Sequence, residues 1–516
     1  MPMASKKAPV FLREATGLVK SVSLLDAVSI NVSDMSAGAA LATVAFTTIL
    51  LPTMAGVNLV YGSLIAFVLL LPQVAIYTIM TRRIARTGGD YVWVSRTMGG
   101  FAGNVLALIG YTMGNIPYLS LIVMSAVFAI GSAGVSLGYS NLLGLALPGN
   151  MPGADTTSQF ILAIIILLVL VAINVFRPKV AYKLISAFTI LGVAALLIGI
   201  FTLLATGRNG VDTYLTSLGN STLTYQSIAS SYSGPSFDLG ATMTFVPFFA
   251  LYVYPWVNAA PAVASEIKGK NTLKWNVPIS AAIAMILMTS AFGAMYYAGG
   301  FEFTNAALAN PTLVYTYSFN FWTLAMGASG STVLAWIIAV GWILWIINII
   351  AYLVVVEGRY LLAQAFDRFL PARVAYVSPT YGSPVAAHII DFIFAAVLIA
   401  GASFLYGTFV SLYGTIVGPM IYFAFVGISA IIYGVRSEKG RTRAILVVAG
   451  ALSAIVFFFL TAEFLLFPAV WGGNPLAYGF LIVTAIGGAL IYLASKAYHA
   501  RQGIDISLAF KELPPE

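Results

Sequence analysis

Between Lys183 and Arg208 the chain runs for 24 residues without one ionisable side chain. Coiled as an α-helix at 1.5 Å per residue, such a stretch reaches about 36 Å, enough to cross a bilayer core of about 30 Å. Apolar runs of this kind recur from residue 24 to residue 495. Only 8% of residues are charged, against about a quarter in soluble proteins, so there is too little charge to coat a water-facing surface. The expected fold class is an all-α polytopic membrane protein.

The runs predict twelve transmembrane helices: 24–50, 58–80, 101–131, 157–176, 184–206, 239–266, 277–299, 332–357, 386–404, 409–434, 444–466 and 477–495. Around them the chain divides into an amino-terminal segment 1–23, helices 1 to 5 over 24–206, an outer loop 207–238, helices 6 to 10 over 239–434, helices 11 and 12 over 435–495, and a tail 496–516. With the amino terminus in the cytoplasm, 24 of the 25 Lys and Arg residues fall on inside segments and only Arg208 faces outward. The positive-inside rule therefore puts both termini in the cytoplasm, and the expected location is the cell membrane. The same distribution accounts for the net charge of +8 without a nucleic-acid partner. Lys6, Lys7, Arg13 and Lys20 precede an apolar stretch too long for a signal peptide, so the first helix is expected to remain. The outer segments 132–156, 207–238 and 300–331 are rich in Gly, Ser, Thr and Asn and read as solvated loops; the sequon at Asn220 carries little weight. No cysteine is present, which removes disulfides, thiolate metal sites and thiol nucleophiles.

Two runs are interrupted at mid-depth, where helix breakers and charges are tolerated only against protein or a water-filled cavity. In helix 1, Ser33-Asp34-Met35-Ser36-Ala37-Gly38 places a carboxylate about 15 Å along the run. In helix 6, Tyr252-Val253-Tyr254-Pro255-Trp256-Val257-Asn258 puts a proline in the interior, which removes a backbone donor and clashes with the preceding turn. Broken helices at matching positions of two five-helix halves point to an inverted-repeat transporter with its site between the halves. A carboxylate in mid-membrane is costly, so Asp34 has either a functional role or a capping bond to amides freed at the break. Asp391, one turn into helix 9 beside His388, and Glu463, near the outer end of helix 11, read as structurally paired or solvated.

Three segments resemble the amino acid, polyamine and organocation (APC) transporter superfamily, in its amino acid permease-like branch. Gly88-Gly89-Asp90-Tyr91 is similar to its Gly-Gly-x-Tyr cytoplasmic segment. Phe248-Phe249-Ala250-Leu251-Tyr252 through Glu266-Ile267-Lys268 resembles its aromatic unwound stretch ending in Glu-x-Lys. Gly358-Arg359-Tyr360 through Ala365-Phe366-Asp367 and Pro371 resembles its run after helix 8. The resemblance implies a five-plus-five inverted repeat with interrupted helices 1 and 6 and two extra helices. It also implies a secondary active carrier of amino acids or related amines, working by alternating access as symporter or antiporter.

The departures bear on substrate. Family members for amino acids have Gly-Ser-Gly or similar where this chain has Asp34-Met35-Ser36, and bare amides there hold the substrate carboxylate. Asp34 would repel a carboxylate, which favours an amine-type substrate or a bound cation, as in distantly related monoamine carriers with an aspartate in helix 1. The substrate-binding set expected is Ser33, Asp34, Met35, Ser36, Gly38, Tyr252, Tyr254, Trp256 and Asn258, with Tyr252 closing over the substrate by family analogy. No cofactor or metal is expected. Coupling would run to protons through Asp34, to Na+ between helices 1 and 8 near Asn348, or be absent in an exchanger. Gly192 occupies the helix 5 region where some proton-coupled relatives carry lysine, so lysine-based coupling does not transfer.

Other readings fit less well. A major-facilitator carrier usually has a long loop between helices 6 and 7, whereas 267–276 is short; a channel would carry a filter or charge ring; an enzyme would have only His388 and His499 as histidines. The pattern specifies no oligomeric state. Because every introduced cysteine would be unique, the orientation is directly measurable: in intact cells Arg208→Cys is expected to react with an impermeant maleimide, and Arg441→Cys only after permeabilisation.

Overall fold

The computed structural model describes residues 11–12, 15–51, 53–405 and 410–514. Lys6, Lys7, Arg13 and the predicted start of a helix at 409 lie outside them. The chain is 78% helix with no strands among the described residues. Its main helices are α1 (Leu24–Met35), α2 (Ala37–Thr48), α3 (Leu59–Arg83), α4 (Asp90–Met98), α5 (Gly100–Ser136), α6 (Thr156–Phe176), α7 (Pro178–Ser217), α8 (Leu239–Tyr252), α9 (Ala259–Ala262), α10 (Lys270–Leu308), α11 (Phe321–Ala328), α12 (Thr332–Phe366), α13 (Val385–Phe404), α14 (Leu412–Ser437), α15 (Gly440–Leu466) and α16 (Pro475–Ala500). Ten of them, all but α1, α2, α4, α8, α9 and α11, are long and apolar enough to cross a membrane. The two remaining apolar runs are the interrupted ones.

The helix ends follow local chemistry. Ser23 and Asp26 form a reciprocal capping box at the start of α1, and Asn58, Asp238 and Ser331 cap α3, α8 and α12 with side-chain oxygens. Exposed Ile161, Ile165 and Leu168 on α6, Ile190 and Phe201 on α7 and Ile482 and Val483 on α16 form the kind of apolar surface that a bilayer covers. The interior lies where α1 meets α7 and α10 and where α12 crosses α5 and α7.

Several expectations are corrected. The outer segments are not plain solvated loops: α7 continues to Ser217 past a left-handed Gly207, α10 continues to Leu308 past Gly300, and α11 is largely buried. Glycine at positive φ breaks the helical backbone at each kink, and a second helical segment follows directly and packs back on the bundle. The predicted end of helix 8 at 357 is nine residues short, because no breaker occurs before Asp367 and the left-handed Arg368. Helix 3 contains a π turn at Leu108–Thr112 and a non-helical step at Gly114-Asn115. The tail is docked: Phe510 lies against Gly100, Arg96 stacks over the Phe510 ring, and Arg86 donates to the Pro514 carbonyl at 2.8 Å.

On the face rich in basic residues, chain segments are stitched together by backbone bonds. Ser21 and Val22 donate to the Glu266 carbonyl, Lys268 donates back to Val22, and Gly88 donates to Ala262. Gly89 has φ 44°, and a Cβ there would sit 2.8 Å from the Pro261 carbonyl. Gly440 has a similar φ of 54° with nothing within 4 Å of that position. Both Ala variants are strained by the positive φ, but only Gly89→Ala adds a backbone clash. Thermal melts in detergent are expected to show the larger drop for Gly89→Ala; equal drops would mean that the approach to Pro261 is not tight.

Candidate functional site

The first break is one residue wide. Ser36 takes a left-handed conformation (φ 56°, ψ 38°), ending α1 and starting α2, with its Oγ buried and without a hydrogen-bond partner among the described residues. The second break spans Val253–Asn258, between α8 and the short α9. Helix starts leave backbone amides unsatisfied, and those of α9 are met from α1. Asp34 Oδ2 accepts from the Ala259 amide at 3.1 Å, and Asn31 Oδ1 accepts from the Ala260 amide at 2.8 Å. One turn of α1 thus caps the half-helix that follows the other break.

That cap leaves chemistry unused. Asp34 Oδ1 has no hydrogen-bond partner among the described residues, and neither has Asn258 Oδ1. Asp34 is fully buried, and the Tyr352 hydroxyl faces it. Tyr111 and Tyr118 of α5 are close enough for its charge to act on both. Tyr118 stacks on Trp256 at 5.8 Å, and Tyr252 stacks on Tyr413 at 5.4 Å. Unpaired carboxylate and amide oxygens among aromatic faces suit a cationic ligand, since both kinds of surface attract positive charge.

Not every expected residue joins this group. Tyr254 points to α3, where its hydroxyl shares a hydrogen bond with Ser63 and its ring packs on Phe67. Gly38 packs its backbone under the Trp345 ring, and its carbonyl accepts from Trp322 Nε1 at 2.8 Å. Met35 is buried. Trp256 gives its own Nε1 proton to the Leu251 carbonyl, so it offers a face and no donor. Ser33 lies on another side of α1 with Thr189 of α7 and Asn348 of α12. Asn348 Nδ2 donates to Ser33 at 2.6 Å and to Thr189 at 2.8 Å, leaving Oδ1 without a partner among the described residues. Gly192, one turn further along α7, is pressed against Trp345, with room for no side chain.

Sequence reasoning missed Asn31, Tyr111, Tyr118, Tyr352 and Tyr413. Asn31 stands three residues before Asp34, on the same helical face, which was its available signal. Tyr111 lies within the π turn, whose sequence marks are Gly110, Gly114 and Asn115.

Toward the basic face, the three quoted segments converge. Arg359 of α12 meets Glu266 through two bonds of 2.9 and 3.2 Å, and Tyr182 joins them from α7. Asp90 accepts from the hydroxyls of Tyr77, Tyr360 and Tyr422, while Asn258 donates to Tyr360 at 3.1 Å. Arg96 of α4 is paired with Asp367, which also accepts from Tyr91. The Asn258–Tyr360–Asp90 chain links the second break to this basic face.

An all-helical, multi-pass membrane protein with two broken helices meeting around buried polar side chains belongs to the transporter class. A family model for amino acid permeases matches residues 22–491, which is most of the chain. The chain belongs to that family, within the APC superfamily. A search of curated proteins returns no match.

The capping arrangement has a stability consequence. Asp34→Asn keeps an oxygen for the Ala259 amide and is expected to leave the melting temperature nearly unchanged. Asn31→Ala removes the acceptor from Ala260 and is expected to cost about 1–2 kcal/mol. Melts of the two purified variants compare them directly.

Proposed function

We propose that this permease carries an amine, or an amino acid bound chiefly through its ammonium group, across the cell membrane by alternating access. The observation that carries the reading is the free Oδ1 of Asp34, an acceptor held at the meeting of the two breaks with Asn258 Oδ1 also unpaired. The ammonium would be held by Asp34 and by break carbonyls, with Tyr252, Trp256 and Tyr118 around the remainder. A helix C-terminus presents negative dipole, so the end of α1 at Met35 adds to this attraction. Anionic groups fare worse, because the amides of α9 that would meet a carboxylate are already capped by Asn31 and Asp34.

In this reading the two broken runs join the ten long helices as twelve crossings, with helices 1–5 and 6–10 as inverted halves and both termini cytoplasmic. The basic-face stitching is then a closed inner gate, with Arg359 and Glu266 as its buried charge pair. Opening inward requires Glu266 to part from Arg359 and α9 to leave Gly88 and Gly89. Asn348 Nδ2 donates to Ser33 and Thr189, so a Na+ site beside it would rest on its Oδ1, which has no hydrogen-bond partner among the described residues.

The test pairs amino acids with the amines that lack their carboxylate: alanine with ethylamine, and phenylalanine with phenethylamine. Thermal stabilisation of purified protein is expected to be larger for the amine of each pair and to fall at least about tenfold in apparent affinity in Asp34→Asn, the scale of one lost charge-assisted bond. Equal binding of amino acid and amine that survives Asp34→Asn unaltered would overturn the role of Asp34.

A further inference from the structure

The pocket and the gate leave one group of buried acids unused. Glu357 of α12 and Asp391 of α13 are fully buried, and their carboxyl groups face each other. Asn115, at the non-helical step in α5, donates from Nδ2 to Glu357 Oε1 at 3.3 Å. Glu357 Oε2, both oxygens of Asp391 and Asn115 Oδ1 have no hydrogen-bond partner among the described residues. Both ring nitrogens of His388, one turn before Asp391, are in the same condition. His388 is wedged against α12, where a Cβ on Gly358 would meet its ring at 2.7 Å.

The charges around the pair do not neutralise it. Arg359 is the cation whose field reaches His388, and its Nε and Nη2 are engaged by Glu266. From α5, Tyr111 faces Glu357, and its ring is stacked on Tyr360 at 4.2 Å. Two ionised carboxylates facing each other in a dry interior repel strongly, and neither can donate. One proton between them turns that repulsion into a charge-assisted hydrogen bond. A bound metal fits less well: among the described residues no group of three His, Asp or Glu side chains is arranged to hold one.

We propose that Glu357 and Asp391 share one proton and that this proton, rather than one on Asp34, is the coupling ion of the carrier. The coupling half of this rests on the transport reading above. Glu357 is two residues from Arg359, so parting of the Arg359–Glu266 pair on inward opening lets water reach the acids. The shared proton then leaves as hydronium and the two carboxylates are hydrated separately. In the outward-facing state the pair takes up one proton from the outer solution before the next inward opening, so each cycle carries one proton inward and no covalent bond other than O–H changes.

Two measurements test the proposal independently. Infrared difference spectra of the purified protein in H2O and D2O are expected to show a protonated carboxyl band that is lost in both Glu357→Gln and Asp391→Asn and kept in Asp34→Asn. A band that survives in either variant, or that is absent from the wild type, overturns the shared proton, and this readout does not depend on any transported substrate. In proteoliposomes, labelled phenethylamine and phenylalanine serve as probes. The wild type is expected to accumulate one of them up to about tenfold per imposed pH unit, the limit for one coupled proton. Asp391→Asn and Glu357→Gln are expected to reach only equilibration while still exchanging internal for external probe. Gradient-driven accumulation unchanged in both variants overturns the coupling role. If the wild type carries neither probe, the substrate reading fails and the infrared band alone decides the proton.

Discussion

The amides that begin α9 have no preceding turn of helix to bond to, and Asn31 and Asp34 supply the missing acceptors. The rest of the centre depends on that pair of bonds. An unsatisfied amide in an apolar interior costs several kcal/mol, so the helix 6 run can break in mid-membrane only where another element receives its donors. The receiving element is α1, which must itself end at Ser36 to leave its last turn, with Asp34, beside the second break. The two interruptions are therefore one object, and what remains unpaired in it, Asp34 Oδ1 and Asn258 Oδ1, is what a ligand would complete.

From this centre a polar chain leads to one face of the bundle. Asn258 holds Tyr360, Tyr360 holds Asp90, and Asp90 stands at the start of α4 directly after the two glycines that let α9 approach. Beside it, α12 carries Tyr352 facing Asp34, Glu357 at the buried acid pair, and Arg359 at the pair with Glu266. Residues five and two apart on one helix thus reach the broken centre, the acids and the ion pair. Removing one partner of a buried pair such as Arg359–Glu266 leaves an uncompensated charge worth about 3–5 kcal/mol.

Much of this was legible in the sequence, and the exceptions have causes. The apolar runs gave the class, and Asp34 and Pro255 marked both breaks, because lipid tolerates such residues only for a reason. What could not be read was direction around a helix axis inside an irregular segment. Tyr254 and Trp256 stand two residues apart in the unwound stretch, yet one faces Ser63 and the other Tyr118. Gly38 was read as a binding residue and serves close packing under Trp345. Asp391 was read as paired or solvated; it is buried, and among the described residues the acid facing it is Glu357, whose place inside α12 was hidden by ending that helix at 357. The outer segments misled for a similar reason: their polar composition suits loops, while Gly207 and Gly300 merely redirect helices.

The central claim is that the site between the breaks carries a substrate across the membrane. The most direct measurement is counterflow in proteoliposomes, with labelled phenethylamine outside and an excess of unlabelled compound inside. Saturable uptake is expected, stimulated by the internal compound and abolished in Asp34→Asn while that variant keeps its melting temperature. Flux that rises linearly without saturation, or counterflow undiminished in Asp34→Asn, would contradict it.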